Sequence, residues 1–238
     1  MKGCMNLLFF HVDYWYLVLV LPAVMVSLWA QFKVKSTFSK YSNRLVSCGM
    51  TGAETSRYIQ QVNGIRTGLE AVAGSLSDHY DPRNNTIRLS SEVYGQATIA
   101  AVGVAAHETG HALQHAEGYG PVKLRTRMVP VTNFASGLSP ILIILGIVFS
   151  MTTLAYAGIA LFSVATLFQL VTLPVEFNAS RRAVVALEQS GQFSDEEMRG
   201  VRRVLTAAAL TYVAALFVSL MSLLRLILLV SGRNSRRR

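Results

Sequence analysis

Apolar residues gather in long uncharged blocks separated by two polar stretches, and this alternation organises the whole chain. The first block, Tyr14 to Ala30, lies between Asp13 on one side and Gln31, Lys33 and Lys35 on the other. Tyr14, Trp15 and Tyr16 at one end and Trp29 at the other are placed as the aromatic belts of a membrane span, and Pro22 predicts a kink within it. A cleaved secretory signal fits less well, because His11, Asp13 and three rings interrupt the approach and no small-residue cleavage site follows. The second block, 131–173, would reach about 64 Å as one helix, roughly twice a bilayer core. It must therefore fold back, and a turn around Ser150 to Thr153 predicts spans near 133–151 and 154–173. Pro140 would sit inside the first of these and Pro174 would end the second. The third block, 205–230, carries Arg225 near one end, where a long side chain can reach the interface. Four spans are expected.

The polar stretches carry the remaining signals. Within 32–130, Thr51-Gly-Ala-Glu54 has the form of a capping box, so a helix is expected from Thr51 to the Asn63-Gly64 stop. Segments 74–80 and 86–90 flank Asp81-Pro-Arg-Asn-Asn85, which predicts a β-hairpin. The alanine-rich segment from Gly95 to Ala116 predicts a helix closed by Gly118-Tyr-Gly-Pro121. The second polar stretch, 174–204, is shorter, and 231–238 is a basic tail. The expected fold is mainly α: polytopic membrane helices with a small α+β domain built from the Gly95–Ala116 helix and the hairpin.

Composition agrees with this division. Hydrophobic residues make up 52% and charged residues 15% of the chain, against about 25% charged in soluble domains. Disorder is excluded by the hydrophobicity, and two cysteines cannot staple a disulfide scaffold. On the four-span topology Cys4 and Cys48 lie on opposite faces and cannot pair. The net charge of +9 raises nucleic acid as a partner, but no aromatic-basic recognition motif accompanies it, so a lipid bilayer is the expected partner and nucleic acid is not.

Chemistry concentrates in His107-Glu108-Thr109-Gly110-His111. Helix positions four apart lie about 6 Å along the axis and about 40° around it, so two imidazoles can reach one zinc ion. Glu108, turned about 100° from His107, flanks such an ion as a general base. The competing reading is a chance pentapeptide on a surface helix. A catalytic zinc needs a third protein ligand. His115 continues the row but would lie about 12 Å from His107 on an unbroken helix. Glu176, in Leu173-Pro-Val-Glu-Phe-Asn-Ala-Ser180 and expected at the start of a helix, is the better candidate. Two crossings between His111 and Glu176 return both to one face.

Beyond the zinc motif, Leu21-Pro-Ala-Val24, Ala30-Gln-Phe-Lys-Val-Lys35, Thr51-Gly-Ala-Glu54 and Leu76-Ser-Asp-His-Tyr-Asp-Pro82 recur in order with Ala105-Ala-His-Glu-Thr-Gly-His-Ala-Leu-Gln114 and the Glu176 segment. In these residues the chain resembles the YugP-like neutral zinc metallopeptidases, bacterial multi-pass membrane proteins, from about residue 9 to 231. The resemblance implies one zinc ion held by His107, His111 and Glu176, with Glu108 as general base. The arrangement is also similar to HtpX-type membrane proteases, whose Glu-x-x-x-Asp motif has Ser180 at the Asp position here. The YugP family often carries Asp where this chain has Asn178. What orients the two histidines is therefore open at this point.

The expected function is membrane-embedded, zinc-dependent peptide hydrolysis of a membrane-associated peptide or protein. His79, Tyr80, Arg181 and Arg182 are candidate donors to the developing oxyanion, with hairpin packing an equal alternative for the first two. The hairpin strand could present its edge to an extended peptide. The rivals are a non-enzymatic scaffold or chaperone with a structural metal and a zinc hydrolase of a non-protein amide. Lys33, Lys35, Lys40, Arg44, Lys123, Arg125 and Arg127 favour a cytoplasmic catalytic face in a bacterial cell membrane, against which the basic tail stands. The sequence leaves the oligomeric state undetermined.

Overall fold

The computed structural model describes residues 14–235; Cys4, Lys2 and Arg236 to Arg238 lie outside them. The first span opens with a π-helical stretch, Tyr16–Val20, in which the Leu21 N–H reaches back five residues to the Tyr16 carbonyl. Pro22 sits just beyond, at the start of α1 (Leu21–Ser42), so the expected irregularity is accommodated by widening the turn before the proline. Helix α1 runs well past the apolar block. Then follow α2 (Gly52–Val62), β1 (Gly68–Val72), β2 (His79–Asp81), β3 (Thr86–Ser90), the short α3 (Ser91–Tyr94) and α4 (Ile99–Ala116). Three long helices close the chain: α5 (Gly120–Val148), α6 (Thr152–Ser190) and α7 (Asp195–Ser235). The fold is mainly helical with a small sheet.

Four helical stretches are long and apolar enough to cross a membrane: Tyr16–Ser42, Gly120–Val148, Thr152–Ser190 and Asp195–Gly232. Their outward faces carry Leu28, Trp29, Phe134, Ile144, Val148, Leu170, Leu220 and Leu224 exposed. So many large apolar side chains facing outward suit lipid and not water. Helices α5 and α6 form a tight antiparallel pair that reverses at Phe149–Met151, where Ser150 takes φ +58°. Small residues allow the close approach. A Cβ on Gly146 would lie 2.4 Å from the Ala155 nitrogen, and one on Gly158 would lie 2.6 Å from Ile143 Cγ1. Ser139 Oγ adds a bond to the Gly158 carbonyl at 2.9 Å.

Several expectations need correction. The hairpin forms, with β2 antiparallel to β3, but it belongs to a three-stranded sheet of order β1-β3-β2 in which β1 runs parallel to the central strand. Residues 74–78 form a turn, with Gly74 at φ +101° and Leu76 at φ +55°, which shortens the second strand to three residues. Strand β1 escaped notice because its residues are half-exposed or exposed and show little alternation. Pro174 does not end a helix. It lies inside α6, which continues to Ser190 and stops at Gly191 in the left-handed conformation, φ +64°. Pro121 likewise starts α5 instead of merely breaking α4. Finally, Gly95 to Ala97 precede α4, which begins after Thr98, whose hydroxyl accepts from the Ala101 N–H.

The capping box at the head of α2 is complete: Thr51 accepts from the Glu54 N–H, and the Glu54 carboxylate accepts from the Thr51 N–H and hydroxyl. Helix α4 forms the centre of the core. Ala100, Ala101, Ala105 and Ala106 are fully buried, and their small side chains let α2, α6 and α7 pack closely around it. At Gly110 the contact is tightest, because a Cβ there would lie 2.6 Å from the Ala179 carbonyl oxygen of α6. Gly110→Ala should therefore push α6 from α4, destabilise the protein by about 1–3 kcal/mol and weaken zinc binding. Thermal unfolding and zinc titration of the detergent-purified variant check both effects.

Candidate metal centre

Helix α4 projects His107 and His111 one turn apart into a cleft, their rings edge to face at 4.7 Å between centroids. Glu176 reaches the same point from the middle of α6, not from a helix start. His107 Nε2 and His111 Nε2 each lie 3.4 Å from Glu176 Oε2. That oxygen is buried and has no hydrogen-bond partner among the described residues. Leaving a carboxylate oxygen dry and unpaired is costly unless a cation compensates it. In a tetrahedral zinc site with ligand bonds near 2.0–2.1 Å, neighbouring ligand atoms lie about 3.3 Å apart. The observed separations match, and the donor set of two imidazoles and a carboxylate suits zinc. The three side chains form the candidate metal group among the described residues.

The backs of both rings are held. Ser180 Oγ lies 3.1 Å from His107 Nδ1, and Gln114 Oε1 lies 3.1 Å from His111 Nδ1. A chain of fixed donors sets the second contact. Arg182 Nε can only donate, and it does so to Asn178 Oδ1 at 2.7 Å. With that oxygen oriented, the Gln114 Nε2 donates to Asn178 Oδ1 at 3.0 Å and to the Val175 carbonyl at 2.7 Å. The Gln114 Oε1 then faces His111 and can only accept. Hence His111 carries its proton on Nδ1 and turns the lone pair of Nε2 towards Glu176. Glu117 completes the chain with paired contacts to Arg182 at 2.6 and 2.8 Å. Ser180 directly, and Asn178 through Gln114, thus orient the histidines as neutral partners.

The cleft has a volume of about 760 Å³ and is lined by β2, α4, α5, α6 and α7. Glu108, largely buried, sits beside the histidines. His79 and Tyr80 line the cleft from β2, but both have commitments. The His79 Nδ1 lies 2.8 Å from the Ser77 carbonyl, and the Tyr80 hydroxyl donates to Asn85 Oδ1 at 2.9 Å. Arg182 is spent on Glu117 and Asn178, and Arg181 does not line the cleft. His115 stands at its edge, 5.9 Å from the Tyr80 ring, outside the metal group on an unbroken α4.

Four contributors were not legible beforehand. Arg125 Nη1 donates to Glu176 Oε1 at 3.1 Å, and Tyr212 lines the cleft from α7. Asp78 accepts from the Ser90 N–H at 2.7 Å and from its hydroxyl at 3.2 Å, tying β2 to the start of α3. Burial pushes the Asp78 carboxyl above its usual range, opposed by those two bonds and assisted by the nearby Glu108 carboxylate. Gln114 is the fourth. Its place three residues after His111, on the same helix face, was the available signal. Tyr212 gave none beyond a polar ring in an apolar block. Burial disfavours the charged form of His111, but the Glu176 and Glu108 carboxylates outweigh it and hold the pKa above the ordinary histidine value.

Over residues 16–231 the chain matches the family described as "Putative neutral zinc metallopeptidase". It is 50% identical over 221 residues, 92% of this chain and 98% of the relative, to a protein of Bacillus subtilis (strain 168) described as "Putative membrane protease YugP". No solved structure matches significantly. Two outcomes are expected from the geometry. Gln114→Leu should lower zinc affinity about 10–100-fold, measured by competition with a chelating dye. Since zinc must displace a proton from His111 below its raised pKa, apparent zinc affinity should begin to fall with decreasing pH above the ordinary histidine value. A pH series of the same titration checks this.

Proposed function

From the premise that this chain belongs to the neutral zinc metallopeptidase family, we propose that it is a membrane-embedded zinc-dependent endopeptidase with His107, His111 and Glu176 as ligands of one ion. The observation that carries the proposal is the buried, unpartnered Glu176 Oε2 equidistant from two imidazole nitrogens. A zinc ion held there supplies a lowered water pKa and polarisation of the scissile carbonyl.

The protein's own groups do the rest. Glu108 takes a proton from the attacking water and hands it to the leaving amine. Arg125 neutralises the Oε1 side of Glu176, leaving Oε2 to face the histidines. Tyr212 offers a hydroxyl proton to the carbonyl oxygen as charge develops, a role for which the Tyr80 hydroxyl is already engaged. The backbone of β2, an edge strand beside the cleft, can pair with an extended substrate. This cleft of peptide-accepting dimensions, with Glu108 against the ligands, favours hydrolysis over a structural metal, which closes its shell with protein groups.

The four long apolar helices support a multi-pass membrane chain. The lysines and arginines of the loops that share the site's face support placing that face in the cytoplasm. Glu108→Gln should keep one zinc per chain while lowering kcat about 10²–10⁴-fold, whereas His111→Ala should lose the metal itself. Metal analysis of purified protein beside cleavage of a fluorogenic peptide separates the roles; a Glu108→Gln variant with full activity would overturn the assignment.

A further inference from the structure

The cleft does not end at the metal ligands. It continues along one face of α5, formed by Val122, Thr126, Val129, Pro130 and Asn133. These positions share a face because they are spaced by four, three, one and three residues. Helix α5 is also one of the four long enough to cross a membrane. With the Phe149–Met151 turn at the far edge of the apolar layer, Asn133 lies about 22 Å from that edge along α5. Glu176 lies about 36 Å from it along α6. A hydrocarbon core is about 30 Å thick. The cleft therefore begins at the metal ligands, just outside the apolar layer, and reaches into it at Asn133.

Two polar groups along this face lack their usual partners, Asn133 inside the layer and the Thr126 carbonyl at its near boundary, about 33 Å from the far edge. Asn133 is exposed, and its carboxamide has no hydrogen bond among the described residues. An amide facing an apolar layer without a partner is unfavourable, which marks it as a functional group. Pro130 has no N–H, so it cannot bond the Thr126 carbonyl one turn earlier. The Thr126 side chain does not compensate, since its hydroxyl donates to the Val122 carbonyl at 2.9 Å. One face of α5 thus offers an acceptor at Thr126 and both a donor and an acceptor at Asn133. A lipid chain can use neither. An unwinding polypeptide backbone, with free N–H and C=O groups of its own, can use both.

We propose that the substrates are membrane-spanning polypeptides cut where they leave the bilayer, with the extended part along β2, the Thr126 carbonyl meeting the backbone at the layer boundary and the membrane-embedded part held by Asn133. The proposal rests on the peptidase reading above and specifies its substrate class. The scissile bond lies at the ligands, so cleavage falls within a few residues of the bilayer surface. Asn133 acts on binding and selection, away from the reacting atoms.

The test uses the full chain in liposomes of phosphatidylethanolamine and phosphatidylglycerol. One substrate is a single-span protein with a target segment at the membrane boundary, and the other is that segment as a free peptide. Asn133→Leu should lower the ratio of kcat/KM for the spanning substrate over the free peptide about tenfold, and Asn133→Gln should recover part of it. A photoreactive residue in place of Asn133, in the Glu108→Gln background, should form adducts with the spanning substrate within about two turns inside the boundary. An unchanged ratio, or adducts with lipid alone, overturns the proposal. If the wild type cleaves the free peptide while either of these results is seen, the peptidase reading stands and only the substrate class fails. If it cleaves neither substrate, the peptidase reading fails as well.

Discussion

The carboxylate of Glu176 sits where helices from two different environments meet, and its burial makes the arrangement around it necessary. One oxygen faces Arg125 of α5, and the other faces the histidines of α4. A buried charge of this kind needs compensation from every direction it faces. The core supplies that by holding three helices in register. Gly110 lets α6 approach α4, the alanines of α4 let its neighbours close in, and the glycines of the α5–α6 pair bring Arg125 and Glu176 to one level. The contacts behind each imidazole then keep both Nε2 atoms aimed at the carboxylate.

The parts of the structure that follow from period, length or local chemistry could be read from the sequence. The apolar blocks predicted four membrane-crossing helices. Thr51 and Glu54 predicted their own capping box, and the spacing of His107 and His111 implied a shared target. The reversal between the second and third spans followed from the length of the uncharged block. Its role was to bring Glu176 back to the face of the histidines, where the structure places it.

What the sequence hid was determined by tertiary context. Pro174 reads as a stop, yet within a packed helix pair its missing bond is tolerated and α6 continues through it. Strand β1 shows little pattern because both its faces are partly exposed, so no alternation marks it. Arg125 looked like a charge that orients a loop, and Tyr212 looked like part of a span. Both reach the cleft through the packing of distant helices. The orientation of His111 depends on an order of donors and acceptors running through Arg182, Asn178 and Gln114, which emerges only when α4 and α6 lie side by side.

The continuity of α6 through Pro174 also bears on how the protein is made. His107 and His111 leave the ribosome well before Glu176, and the two crossings of α5 and α6 lie between them. Tyr212 follows later still, on α7. No contiguous fragment without the candidate spans α5 and α6 contains the full set. A nascent chain carries its zinc motif through the cell in an incomplete form. The full set of candidate ligands comes together only once the apolar helices α5 and α6 have packed against α4.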